Sequence, residues 1–361
     1  MRWKIYEHPI FLPNIIYLIV APIFAFDSRV FIVLTVMCFI CVAVCVRICG
    51  LSTRSTFLVS LVLASPARYM EFLWGFQFSL AMSIFFPVLG LFILDKGTMG
   101  SYIDRRHGIA YIIFQIIGLL SSSPAAFAMV AASFLVAVKP INRKEKFIFV
   151  LFLLISFLVF ALLVRSGRGS EVLLGRSILV LLTSVGALLF SMPVAITNFG
   201  LDRYSIMGGL LLILSFMLFI FAIKRGRTQI AALPFSLIVY GGLMIGAIAV
   251  SRSYLGNWHL QCAVPIAIGA IVMADRSFAV GAKSERLISL SIVSIVAISL
   301  SGMWVAIFHW GPAYAAYASS VVEYMNRIDQ APSPKPFPST GGWDVDADMV
   351  RFLVRKGNSA F

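Results

Sequence analysis

Charged side chains are scarce in this chain. Only 12% of its 361 residues are Asp, Glu, Lys or Arg, while 60% are hydrophobic. A soluble domain carries about a quarter charged and about half apolar residues, so a water-soluble globule is excluded. Acids are the scarcer sign: 15 Asp and Glu stand against 29 Lys and Arg, giving a net charge of +14. Alternating polarity is lacking as well. The apolar runs are continuous, which excludes a transmembrane β-barrel and leaves a bundle of membrane helices.

The motifs of soluble enzymes are absent. There is no G-x-G-x-x-G, no phosphate-binding loop, no G-x-S-x-G elbow and no His/Cys set at zinc spacing. The four histidines, His8, His107, His259 and His309, are scattered. Cysteines number five, and Cys38, Cys41, Cys45 and Cys49 recur every three or four residues, along one face of a helix. They fall inside the apolar run 30–48, where small packing residues are expected rather than metal ligands. No metal site and no cofactor is therefore assigned, and a divalent metal is left open. The excess of positive charge does not call for a nucleic acid partner. The cations collect in short loops between apolar runs, as the positive-inside rule requires, and anionic lipid headgroups supply the counter-charge.

What is there is a succession of apolar runs. The fold class expected is all-α: a polytopic transmembrane helical bundle of about nine to eleven membrane segments. It occupies residues 1–308. An external tail, 309–361, follows; it carries Pro332, Pro334, Pro336 and Pro338 and then a short helix-like end. The run 10–26, interrupted by Pro13 and Pro22, is barely long enough to cross, and spanning or lying along the interface are the two expectations. The basic loops at 47–54, 95–107, 139–146, 224–227 and 276–286 are expected on the cytoplasmic side. Arg165, Arg168 and Arg176 conflict with that scheme, because one span cannot join two cytoplasmic loops. The run 178–196 is accordingly read as re-entrant or interfacial.

With that topology, polar groups gather on the outer face: Asp27, Arg68, Glu71, Trp74, Gln77, Arg252, Tyr254 and His259, together with Glu7 if the run 10–26 does not cross. The stretch 68–77 places Arg68, Glu71 and Gln77 among aromatics between two apolar runs, where charge is costly. A carboxylate can act as general base on an acceptor hydroxyl. An arginine fork matches the oxygens of a departing phosphate, and aromatic faces stack on sugar rings. An interfacial aromatic belt with a local Arg–Glu pair explains the same stretch without chemistry.

Three stretches resemble bacterial polytopic membrane proteins related to GT-C glycosyltransferases. Glu7-His8-Pro9-Ile10-Phe11-Leu12-Pro13 is similar to that group's "EHR…LP" opening. Glu71-Phe72-Leu73-Trp74-Gly75-Phe76-Gln77 is similar to its "ENLLWGFQ" loop, with Phe72 in place of Asn. The end of the chain, 352–361, resembles terminal "LSIF" sequences, and Ser251-Arg252-Ser253-Tyr254 stands where the group has "SRY". The resemblance implies transfer of a sugar from a polyprenyl-phosphate donor to a glycan or lipid acceptor, at the outer face of the bacterial inner membrane. No motif fixes the catalytic acid, and Glu7, Asp27 and Glu71 are its candidates by chemistry alone. The substrate contacts expected from the shared outer face and from side-chain chemistry are Arg68, Trp74, Gln77, Arg252, Tyr254 and His259. GT-C enzymes also carry a transmembrane helix before the first external loop. This chain opens directly at Glu7, so a truncated start and a degenerate, inactive copy are both expected alternatives. A carrier, flippase or polymerase of lipid-linked saccharides is the rival function.

Overall fold

A computed structural model describes residues 4–5, 8–9, 11–24, 29–65, 78–164, 174–190, 203–224, 227–251 and 257–278, with Trp304 and Phe308. Among the described residues are eleven α-helices: α1 (Phe11–Ile23), α2 (Arg29–Ile48), α3 (Thr53–Leu63), α4 (Phe78–Gly97), α5 (Arg105–Ser121), α6 (Phe127–Val138), α7 (Arg143–Val164), α8 (Leu174–Phe190), α9 (Arg203–Lys224), α10 (Thr228–Ser251) and α11 (Val264–Phe278). Short 3-10 turns, Ser123–Ala126 and Asn257–Ala263, lead into α6 and α11. Lys4–Ile5 pairs antiparallel with His8–Pro9, a ladder of two residues on each side. The all-helical class expected from the continuous apolar runs is what the described residues form.

Helix length separates these elements. Val30–Ile48, Phe78–Gly97, Ser205–Lys224 and Thr228–Ile248 are long and apolar enough to cross a membrane. The 13 residues of α1 and the 11 of α3 make helices of about 20 Å and 16 Å, short of a hydrocarbon core of about 30 Å. Helix length thus leaves α1 and α3 short of a full crossing, while the 22 residues of α7, about 33 Å, are long enough for one.

Burial ranks the long helices. In α4, 83% of the membrane-length window is buried, against 22% in α2 and 17% in α9. A helix apolar all round belongs inside, so α4 is the central post, and α2 and α9 present apolar faces outward. Helix α5 lies antiparallel along α4. Gly118 of α5 permits this approach, since a Cβ there would come within 2.7 Å of Pro87 Cγ. Gly208 of α9 packs in the same way on the backbone of α8 at Leu182. Gly50, at φ +91°, turns the chain out of α2.

Two ends can be told apart. At one, which we term the basic end, α2, α4, α6, α9 and α11 finish and α3, α5, α7 and α10 start. Hydrogen bonds tie these termini: Ser52 to Asp275, Asn142 N–H to Ser101 C=O at 2.8 Å, and Arg276 to Ile230 C=O at 3.3 Å. At the opposite end the Phe31 and Phe78 rings lie 6.1 Å apart. This levels the start of α2 with the start of α4, and α1 packs there through Tyr17, stacked on Phe31 at 5.2 Å. The termini of 95–107, 139–146 and 224–227 thus share one face, as the charge pattern predicts. Helix α7 leaves the basic end and α9 returns to it, so Val164 and Arg203 lie at the opposite end. Helix α8 lies between them in the chain.

Two helices carry internal prolines whose cost is met from outside the helix. Pro87 has no N–H for the carbonyl of Ser83, four residues earlier, and an unpaired carbonyl is costly in an apolar interior. The Tyr240 hydroxyl of α10 donates to that carbonyl at 2.8 Å. Pro234 of α10 likewise frees the carbonyl of Ile230, and Arg276 of α11 donates to it.

Replacing Tyr240 with Phe strands the Ser83 carbonyl and is expected to cost about 1–3 kcal/mol of unfolding free energy. In a Pro87→Ala background the new N–H supplies the missing donor, so Tyr240→Phe should cost clearly less there. Unfolding of the four proteins in detergent measures the coupling, and additive losses would show that the hydroxyl does not serve this carbonyl.

Candidate functional site

The described residues bring one charged cluster together, at the basic end. Asp95 sits in the last turn of α4. A carboxylate at a helix C-terminus opposes the helix dipole, and two cations offset it. Lys139 Nζ lies 2.6 Å from Asp95 Oδ1 and Arg276 Nη2 lies 2.9 Å from Oδ2. The Lys139 and Asp95 side chains are 1% and 2% exposed. Lys139 follows α6 with extended backbone, which turns its stem back into the bundle. Arg276 lies near the end of α11, and its second nitrogen reaches the carbonyl freed by Pro234.

Its neighbour Asp275 makes a second link. Oδ1 accepts from the Ser52 hydroxyl at 2.5 Å and the Ser55 hydroxyl at 2.7 Å, and Oδ2 from the Ser52 N–H at 3.2 Å. The carboxylate thus caps the start of α3, where a negative charge is favoured. Two consecutive residues of α11 hold α3, α4 and α10. Farther out, Asp104 caps α5 through the Arg106 N–H and bonds the His107 ring. The His107 hydrogen bond is the main reason its carboxyl lies below the ordinary value, with the bond from the Arg106 backbone adding to it. That linkage is present above the unfolded carboxylate value and is lost as pH falls through the lowered one.

Each oxygen of Asp95 lies against one cation, and Oδ1 meets Lys139 as an ion pair without a hydrogen bond. Its chemistry is that of a clamp. The sequence reading placed Asp95, Lys139 and Arg276 in solvated loops and missed the contact. The available signal was an acid closing an apolar run, with single cations closing two others on the same face.

Of the residues chosen from the sequence, Glu7, Asp27, Arg68, Glu71, Trp74, Gln77, Arg252 and Tyr254 lie outside the described residues. His259 falls in the 3-10 turn Asn257–Ala263. The helix ends that flank them are described. Arg29 starts α2 two residues after Asp27, Phe78 starts α4 directly after Gln77, and Ser251 ends α10 directly before Arg252. All three lie at the end opposite the clamp. Cys38, Cys45 and Cys49 pack against the main core, while Cys41 is exposed. Among the described residues, no group of three or more His, Cys, Asp or Glu could hold a metal ion.

Gln261, 1% exposed, has neither amide atom paired. It borders a small apolar cavity between α2, α3, α4 and α11, lined by Phe39, Leu63, Ala81, Phe85 and Val264. The Tyr111 hydroxyl and Gln115 Oε1, one turn apart on α5, are also buried without a hydrogen-bond partner.

No known protein family, curated protein or solved structure matches the chain.

Asp95→Asn leaves the buried Lys139 and the part-buried Arg276 without their counter-charge and is expected to cost about 3–5 kcal/mol. Lys139→Met keeps the Asp95–Arg276 pair and should cost markedly less. Thermal unfolding in one detergent gives the order, and a larger loss for Lys139→Met would mean that the carboxylate is not the shared centre.

Proposed function

We propose that this chain is a membrane transferase of the GT-C type. It would move a sugar from a polyprenyl-phosphate donor to a glycan or lipid acceptor at the membrane face opposite the clamp, the outer face of a bacterial inner membrane. One observation carries the reading. The flanking helix ends at Arg29, Phe78 and Ser251 gather at the end away from the ionic clamp, and in the sequence they border the segments holding Asp27, Arg68–Gln77 and Arg252–Tyr254. The resemblance around Trp74-Gly75-Phe76-Gln77 adds the reaction class. In this reading an acid among Glu7, Asp27 and Glu71 activates the acceptor hydroxyl. Arg68 and Arg252 neutralise the leaving phosphate, Trp74 and Tyr254 stack on the sugar, and Gln77 and His259 hydrogen-bond its hydroxyls.

A carrier of lipid-linked saccharides is the second reading. The proline-interrupted helices α4 and α10 and the unpaired amide of Gln261 in the bundle interior favour it, because carriers build their sites from interrupted helices inside the bundle.

Loss of a positioned charge-stabilising group costs about 10²–10³ in rate. Arg252→Ala and Glu71→Gln should therefore each remove most glycosyl transfer in reconstituted membranes and leave the unfolding temperature unchanged. A lower unfolding temperature with full activity per folded molecule would assign these residues to structure. Loss of lipid-linked saccharide translocation, with no transfer in the parent protein, would favour the carrier. Single cysteines at positions 144 and 335 should label from opposite sides of the membrane.

A further inference from the structure

The turns before α5 and α7 form one unit at the basic end. The Asn142 N–H donates to the Ser101 carbonyl at 2.8 Å, and the Ile103 N–H donates to Glu145 Oε2 at 3.2 Å. Behind them the Tyr111 and Phe149 rings meet, with centroids 6.2 Å apart. The acids of this unit are already engaged, Glu145 by the Ile103 backbone and Asp104 by the Arg106 N–H and His107. Lys146 is engaged too, donating to the Ala137 carbonyl at 3.0 Å. Arg105 and Arg106 on α5, and Arg143 and Lys144 on α7, are exposed and make no ion pair among the described residues.

The surroundings of these four cations are apolar. Tyr102 is 62% exposed and Phe147 67%. From there outward apolar faces run down both helices, through Ile109, Ile113 and Ile116 on α5 and Ile148, Leu151 and Ile155 on α7. The cations thus stand where hydrocarbon-facing surface gives way to water, the level of headgroup phosphates and of interfacial tyrosines. Solvated loop charges that only orient insertion do not need to flank two hydrogen-bonded turns, nor to sit beside exposed rings.

We propose that this surface binds one anionic phospholipid carrying two phosphates, with one phosphate at Arg105 and Arg106 and the other at Arg143 and Lys144. A lipid with a single phosphate would satisfy only one pair. The acyl chains would follow the apolar faces of α5 and α7.

The full chain in neutral-lipid nanodiscs, titrated with diphosphatidylglycerol or with phosphatidylglycerol at equal phosphate and read by native mass spectrometry, tests this. The two-phosphate lipid is expected to bind at one per chain and more tightly. Arg105→Gln/Arg106→Gln and Arg143→Gln/Lys144→Gln should each weaken it about thirtyfold. Arg105→Lys/Arg106→Lys should retain most binding, which separates lost charge from lost fold. Lys224→Gln/Arg227→Gln, on the α9–α10 turn of the same face, should bind as the parent does. The proposal fails if either Gln pair binds like the parent, if the control pair weakens binding as much, if the two lipids bind equally at matched phosphate, or if inorganic phosphate displaces the lipid at equal concentration.

Discussion

The carboxylate of Asp95, shared by Lys139 and Arg276, is the contact on which the arrangement of the bundle rests. Inside a protein the attraction between such charges is several times that in water. Desolvation takes back much of that gain, so a buried ion pair adds little net stability over apolar packing. What it adds is register. The ends of α4, α6 and α11 meet at one group, and a slip of any by a turn, about 5.4 Å, would leave a charge in an apolar setting. Arg276 extends the constraint to α10, and Asp275 extends it to α3. Five helices are thus indexed from two adjacent residues of α11.

The helical class and the sidedness of the loops were legible in the sequence. Continuous apolar runs exclude a barrel by themselves, and loops rich in Lys and Arg turn out to share a face, tied by the contacts of Asp95, Asn142 and Arg276. Helix lengths were not legible to the same degree. An apolar run shows where hydrocarbon is tolerated, whereas the actual stop depends on caps such as Ser52 before α3 and Asp104 before α5. The clamp was illegible for a related reason. Sequence places Asp95, Lys139 and Arg276 at the borders of apolar runs, where a charge is usually solvated. Only the packing of three helix ends decides that two of them are buried. The residues chosen for chemistry remain a matter of sequence and of the helix ends that flank them.

The two ends of the bundle differ in what they can do. At the basic end the charges nearest the axis neutralise one another, and those at the rim, Arg105, Arg106, Arg143 and Lys144, point outward. The axis there is closed and its rim is cationic. The opposite end has no such clamp among the described residues. Its contacts are aromatic and aliphatic, as in the packing of Ala21, Phe31, Phe78 and Met82. Apolar contacts of this kind are non-directional and tolerate small shifts better than an ion pair does. Freedom to rearrange is thus greater in these contacts than in the clamp.

The pairing of Pro87 with Tyr240 has a consequence for how the sequence can change. While Tyr240 is present, either proline or another residue is tolerated at position 87, because the Ser83 carbonyl has a donor in both cases. Once Tyr240 is lost, proline at 87 leaves that carbonyl bare. A lineage can therefore exchange Pro87 first and Tyr240 afterwards at small cost, whereas the reverse order passes through a weakened protein. The hydroxyl of one helix sets the sequence of permissible steps in another, 153 positions away in the chain by the difference between 240 and 87.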